Sequence, residues 1–391
     1  MALALLSSLF VALGAVGVAY QAYALLALSR FFAQPPAPSA PPAPVTLIKP
    51  LHGAEPHLAA NLASFLAQDY SAPVQMLCGV NAAEDAAVPA VRDLIARYPQ
   101  ADIALHPGPR LPGANGKMGN CAAMMPLARH DVLILSDSDM VVESDYLARM
   151  TATLAQPGVG AVSCLYVGRG DAGVWSRIGA AMISAQSLPN MVVGLSLGMA
   201  RPCMGSTIAL RRATLDAIGG FAAFADVLAD DHAIGAAVAK LGQRIAIPPL
   251  VLVHAGAEGS ARALWRQHLR WAATIRDLAG AGHYGSLVTH ALPLCLIAAV
   301  AMPTLGLPLF FAAALLRFAM VIRVNHLAPG ARVGLWALPA ADLFAFAIFC
   351  ASLTTRKIDW RGSSLTMMGN GRIAHHENAP RKTAARKMED R

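Results

Sequence analysis

The sequence predicts an α/β domain with a mainly parallel sheet, flanked by apolar segments long enough to span a bilayer. Three observations lead there. From Val45 to about Leu278, short apolar runs alternate with amphipathic segments, a pattern that implies right-handed crossovers between parallel strands. Apolar residues make up 56% of the 391-residue chain and charged residues only 14%, well off the balance of a soluble protein. The apolar excess gathers at the two ends.

The first 30 residues read as a transmembrane helix. Met1 to Leu28 is nearly free of charge, and at ~1.5 Å per residue it is long enough for a ~30 Å hydrocarbon core. A cleaved signal peptide fits less well, because no basic stretch precedes the run and the run is too long. Its first positive charge, Arg30, follows it, which places the next domain in the cytoplasm. Residues 31–44 hold a Pro-rich linker, a semi-rigid spacer with no chemistry of its own.

Residues 45–280 form the α/β domain. Strands are expected at Val45–Ile48, Val74–Val80, Ile103–His106 and Val132–Leu135, with helices over His57–Gln68, Val88–Tyr98 and Lys117–Leu127. Ligands of such a sheet bind beyond the carboxyl ends of its strands. Residues 285–355 are apolar again. Leu287–Met320, interrupted by Pro293, Pro303 and Pro308, reads as two packed helices, and Val333–Leu353 as another. Three C-terminal spans would put the basic tail, residues 356–391, outside. The positive-inside rule wants it in the cytoplasm, and an interfacial or re-entrant segment within 287–330 would reconcile the two.

The net charge of +8 does not point to nucleic acid, since no aromatic-basic interleaving or zinc-finger spacing accompanies it. A bilayer surface is the better partner for a basic cluster beside a membrane segment. The six cysteines (78, 121, 164, 203, 295 and 350) show no C-x-x-C pair and read as reduced, buried thiols. Gly158-Val-Gly160 lacks the third glycine of a dinucleotide fingerprint.

Three motifs carry chemistry. Asp137-Ser138-Asp139 follows an apolar strand. Two carboxylates held so close suit a divalent cation, Mg²⁺ or Mn²⁺, that would neutralise the diphosphate of a nucleotide sugar. Gln267-His-Leu-Arg270-Trp271 places Gln267 and Arg270 on one helix face, where Arg270 can grip phosphate. Trp271 suits a membrane-interface wall or sugar stacking. Asp230-Asp231 offers a carboxylate base for an acceptor hydroxyl, or a helix N-cap. His254 reads as a core histidine or one facing the metal.

In this order the motifs resemble the processive and lipid-directed GT-A glycosyltransferases, and more finely the ceramide glucosyltransferases and their bacterial relatives. Thr46-Leu-Ile-Lys-Pro-Leu-His-Gly53, Gln68-Asp-Tyr70, Gly116-Lys117 with Asn120, Gly205-Ser-Thr-Ile-Ala-Leu-Arg-Arg212 and Gly219-Gly-Phe221 carry the likeness. The Ala-Arg-Pro-Cys203 and Arg270-Trp-Ala-Ala-Thr-Ile-Arg276 stretches resemble the hopanoid-biosynthesis branch most closely. The likeness covers about residues 45–300. It implies a GT-A fold and a multi-pass protein of a bacterial inner membrane. It also implies inverting transfer from a UDP-sugar to a membrane lipid, with N-acetylglucosamine onto a hopanoid polyol preferred over glucose onto ceramide.

By this resemblance Asp85 would sit beside the nucleotide, with Glu84 the alternative, and Lys117 would approach the uridine or diphosphate. Asp137 and Asp139 would hold metal and donor, Asp231 would be the general base, and Gln267, Arg270 and Trp271 would bind diphosphate. One departure stands out. Where animal ceramide glucosyltransferases carry His-Pro, this chain reads Ser187-Leu188-Pro189. A processive polysaccharide synthase would need more spans for its channel, and a catalytically silent scaffold would have no use for clustered carboxylates.

Overall fold

A computed structural model of the chain describes residues 2–199, 203–360, 363–369 and 371–375. Part of the Ala-Arg-Pro-Cys203 stretch and the end of the basic tail, residues 376–391, lie outside the described residues.

β1 (Val45–Pro50), β2 (Val74–Gly79), β3 (Asp102–His106) and β4 (Val132–Ser136) pair in parallel in the order β3-β2-β1-β4. β5 (Met140–Val141) then leaves this sheet. β6 (Val159–Ser163), β7 (Leu165–Gly170), β8 (Thr207–Arg211), β9 (Arg244–Ala246) and β10 (Val251–Gly256) follow. β8 enters antiparallel between β4 and β6, and β9 adds a parallel edge, making seven strands. A small sheet, β5-β10-β7, stands beside the large one.

β1 is buried at all six positions, as expected for a strand covered on both faces. Leu47 and Ile134 face one core with Leu62, Phe65 and Tyr146. Ile48, Leu133 and Leu135 face the other with Met118, Phe221 and Ile234. Alternation along the strand thus stitches two helical layers to one sheet. The helix expected over His57–Gln68 is shorter, Leu58–Ser64: His57 takes a left-handed backbone (φ 60°) before it, and Phe65 and Leu66 N–H turn to carbonyls three residues back after it.

Four helices are long and apolar enough to cross a membrane: Leu5–Phe32, Val174–Ser196, Pro303–Leu327 and Leu335–Ser352. A bent pair, Ala281–Thr289 and Ala291–Ala301, turns by 64° at His290. The N-terminal helix approaches this pair closely at Gly17, where a Cβ would lie 2.8 Å from the Ala291 methyl, the small-residue contact typical of membrane helices. Val174–Ser196 was not expected from the sequence. It joins β7 to β8 and is mostly buried inside the protein.

At its centre Ile183–Ser187 forms a π-helical turn. Pro189 has no N–H to offer the carbonyl four residues earlier, Ala185. Arg317 Nη1 donates to that carbonyl instead, and its guanidinium forms a two-point ion pair with Asp342. Ala24, Leu28, Val192, Met320 and Val324 pack with Leu165, Val167 and Val253, so the apolar helices dock directly onto the small sheet.

The segment read as a basic tail folds over residues 357–375. β11 (Lys357–Trp360), β12 (Ser363–Gly369) and β13 (Arg372–His375) form an antiparallel sheet. It returns to the α/β domain through Leu228 N–H to Gly371 O (2.8 Å), Ile373 N–H to Asp226 O (3.1 Å) and Gly371 N–H to the Asp277 carboxylate (2.7 Å). Ile358, Leu365 and Ile373 bury against Leu228 and Ala273. All six cysteines are free thiols, and five are buried as expected. Cys350 is exposed, because it lies on the outward face of its apolar helix.

Removing one partner of a buried ion pair strands the other, at about 3 kcal/mol. Arg317→Met should therefore lower the melting temperature of the detergent-solubilised protein clearly. Arg317→Met with Asp342→Leu should recover part of the loss. A double variant no better than the single one would show that the Ala185 carbonyl, not the carboxylate, is the group that needs Arg317.

Candidate active site

β4 delivers Asp137 to the carboxyl edge of the sheet, and the chain is held there from two sides. Asp137 N–H donates to Ser206 O (3.2 Å), and Ala255 N–H to Asp139 O (2.7 Å). Beneath, Lys49 is fully buried over the Phe65 ring and donates to Ser136 Oγ (3.0 Å) and to the Asp137 carbonyl (3.2 Å). Burial pushes its ammonium pKa well down. Ser138 Oγ donates to Glu55 (2.6 Å). The sequence reading missed Lys49 and Glu55, which become visible only when β1 is laid beside β4.

Lys117 joins the two acidic motifs. Its helix, Gly116–Met124, is capped by Asn115, whose side chain accepts from Lys117 and Met118 N–H. Lys117 Nζ lies 2.6 Å from Asp137 and 3.5 Å from Asp230, and donates to Gly205 O. Burial alone would lower its pKa, but the two carboxylates carry it upward. Neither aspartate caps its helix: Ala229 holds the N-cap position with no side-chain bond, so the N-cap reading is corrected. Asp230 turns to Lys117. Asp231 accepts from Gly205 N–H (2.9 Å) and His232 N–H (2.7 Å). Burial pushes the carboxyl pKa of Asp137, Asp230 and Asp231 up, and Lys117 opposes it in each.

β10 brings His254 to within 3.2 Å of the Asp139 carboxylate. Burial would lower the imidazole pKa, but Asp139 raises it to about 9. Trp271 packs edge-on against His254 and His268. Arg270 donates to Gln267 (3.1 Å) from the next turn of the same face, as the spacing predicts. Asp85 is the residue the structure does not bring in. It is absent from the cavity lining among the described residues, because its carboxylate accepts from Gly53 and Ala87 N–H (2.8 and 2.9 Å). Asn81, from the same loop, lines the cavity instead, and Glu84 is exposed.

These groups open on one cavity of about 1310 Å³. Asn81, Lys117, Asp137 and Asp231 line one part of it; Met182, Thr289, Ile348 and Phe349, from the apolar helices, line another. Among the described residues no three His, Cys, Asp or Glu side chains form a ready metal cage. Mg²⁺-type sites are commonly held by one or two carboxylates plus phosphate oxygens. The adjacent Asp137 and Asp139, with His254 beside them, fit a cation of that kind.

A family model, glycosyl transferase family 21, matches residues 9–373. The chain is 27% identical over 212 residues to ceramide glucosyltransferase 3 of Caenorhabditis elegans (52% of this chain, 44% of that one). It is 29% identical over 126 residues to a ceramide glucosyltransferase of Candida albicans (28% of this chain, 22% of that one). The chain thus spans less than half the length of these curated relatives. A solved mannosyltransferase from Pyrobaculum calidifontis, in complex with GDP-Man and Mn²⁺, aligns over 89% of this chain and 99% of its own. The TM-score is 0.52 at 22% identity, and the expected GT-A fold holds.

A carboxyl whose folded pKa is raised favours folding when protonated; that contribution is lost as pH rises through the raised value. Lys117 offsets this loss for all three aspartates. Lys117→Met should therefore be less stable than the parent at pH 7, by about 2 kcal/mol. The gap should close as pH is lowered toward ~4, near the ordinary aspartate value. Melting curves across pH test this; a gap independent of pH would reduce Lys117 to a packing role.

Proposed function

This chain belongs to glycosyl transferase family 21, and from that premise we propose that it transfers a sugar from a UDP-sugar to the hydroxyl of a membrane lipid, with inversion. The observation that carries the lipid reading is the single cavity shared by the acidic motifs and the apolar helices. A water-soluble acceptor would have no use for a wall built from Met182, Ile348 and Phe349.

Asp231 is the base. Asp230 is engaged by the Lys117 ammonium, whereas two N–H groups orient Asp231. The acceptor hydroxyl gives its proton to Asp231 and its oxygen bonds to the anomeric carbon. The bond from that carbon to the UDP oxygen breaks, and UDP leaves with the electron pair. Arg270, steadied by Gln267, meets the departing diphosphate. Trp271 walls the acceptor side. A divalent cation at Asp137 and Asp139 would, when bound, stabilise charge on the diphosphate. Asn81 takes the place expected for Asp85 at the nucleotide end.

The C-terminal sheet also constrains topology. Its bonds to Asp226 and Leu228 support a topology with the α/β domain and residues 357–375 on the same side of the bilayer. Pro303–Leu327 and Leu335–Ser352 supply two crossings, so the bent pair at His290 enters and returns. Arg30 and Arg356 flank that side, which supports a cytoplasmic reading of it.

Two acceptor readings have separate support. The curated relatives favour glucose onto ceramide. The Arg270–Arg276 stretch favours N-acetylglucosamine onto a hopanoid polyol, and Leu188-Pro189 in place of His-Pro weighs against ceramide. Radiolabelled UDP-glucose and UDP-N-acetylglucosamine, each offered with ceramide or a hopanoid polyol and Mg²⁺ or Mn²⁺, decide between them. Label should enter one lipid and vanish in Asp137→Ala. No label in any combination, from folded protein, overturns the proposal.

Asp231→Asn should lower kcat by about 10³-fold with the donor KM unchanged. Asp231 must be ionised to act, and burial raises its pKa. Transfer should thus be lost on acidification at a pH above the ordinary aspartate value of ~3.9. A kcat/KM profile that stays flat down to that value would remove Asp231 from the role.

A further inference from the structure

The apolar part of the cavity contains a polar pair that the transfer chemistry does not use. Gln186 lies in the π-helical turn Ile183–Ser187, and His290 sits at the 64° break of the bent pair. Gln186 Nε2 meets His290 Nδ1 at 3.0 Å. Both residues are buried and both line the cavity. Phe346 and Phe349 pack on the imidazole, with ring centroids 5.6 and 5.1 Å away.

Polar side chains set among apolar helices are costly to bury and mark function more often than packing. π-helical turns within α-helices also gather at functional sites. The local causes are on hand here. Pro189 opens the turn, and the Arg317–Asp342 pair holds the freed Ala185 carbonyl, one residue before Gln186.

The hydrogen bond fixes the chemistry that remains. An amide nitrogen only donates, so Nδ1 accepts and the neutral ring carries its proton on Nε2. Among the described residues neither His290 Nε2 nor Gln186 Oε1 has a hydrogen-bond partner. The pair therefore presents one donor and one acceptor in an apolar setting. We propose that Gln186 and His290 form a recognition site for the polar head of the acceptor lipid, taking a neutral group that both accepts and donates, an amide or a second hydroxyl. This rests on the lipid-transfer reading above and makes the pair specificity-determining.

The test uses the full chain in detergent with the active UDP-sugar and three acceptors: ceramide, a hopanoid polyol, and a long-chain alcohol with a single hydroxyl. Gln186→Leu and His290→Phe should each raise KM for the polar-headed lipid about tenfold, the loss of about one hydrogen bond to a buried group. The donor KM should stay within about twofold of the parent on the same grounds, since no donor contact is removed. His290→Gln, which keeps an N–H donor and a similar length, should recover most of the affinity and guards against a misfolded His290→Phe. The single-hydroxyl alcohol should be used equally poorly by parent and variants. A tenfold effect with the polyol, which has no amide, identifies a hydroxyl as the group bound; an effect confined to ceramide identifies a group that includes its amide.

An unchanged acceptor KM in variants that melt like the parent overturns the inference. So does an equal loss with the single-hydroxyl alcohol. Transfer by the parent with unaffected variants sinks this inference alone, whereas no transfer to any lipid by the parent sinks the function proposed above as well.

Discussion

The Lys117 ammonium is the point on which the site depends. Three carboxylates are gathered at the end of β4 and the start of helix Asp230–Lys240, where burial disfavours their charge. One shared cation, 2.6 Å from Asp137 and 3.5 Å from Asp230, lets them coexist. It also divides the labour: with Asp230 engaged, Asp231 is held only by N–H groups. Its local origin is modest, a helix start whose N–H groups are satisfied by Asn115.

A second constraint couples this site to the apolar helices. The small sheet β5-β10-β7 contributes His254 to the site on one side and Leu165, Val167 and Val253 to the helical packing on the other. Through this sheet the chemistry and the helices share one packed core. The helix Val174–Ser196 begins shortly after β7, so its first end is tied to the register of this sheet.

Much of this was legible in the sequence. β1 to β4 could be read because short apolar runs alternate with helical segments, and the most apolar of them, β4, runs straight into Asp137. Gln267 and Arg270 could be paired because helical spacing is local. What escaped reading was non-local. His254 reaches Asp139 only through the pairing of β10 with β5, and Lys49 reaches Asp137 only through β1 beside β4. The bonds from Gly53 and Ala87 N–H to Asp85 escaped reading too, because an acidic residue in a strand-to-helix loop looks alike whether it meets substrate or backbone N–H groups. Val174–Ser196 was hidden by Arg177, Gln186 and Asn190, which dilute its hydropathy. The final sheet was hidden by the basic charge around it.

That final sheet sets an order in time. The loop leading into Asp230 and Asp231 is closed by backbone bonds to Gly371 and Ile373, which follow all the apolar helices in sequence. A chain emerging from the ribosome has laid down its N-terminal helix, its α/β domain and its apolar helices before those residues exist. This loop is therefore completed only after the helices that form the apolar part of the cavity have been synthesised. A nascent or prematurely ended chain would leave the amide of Leu228 without its partner.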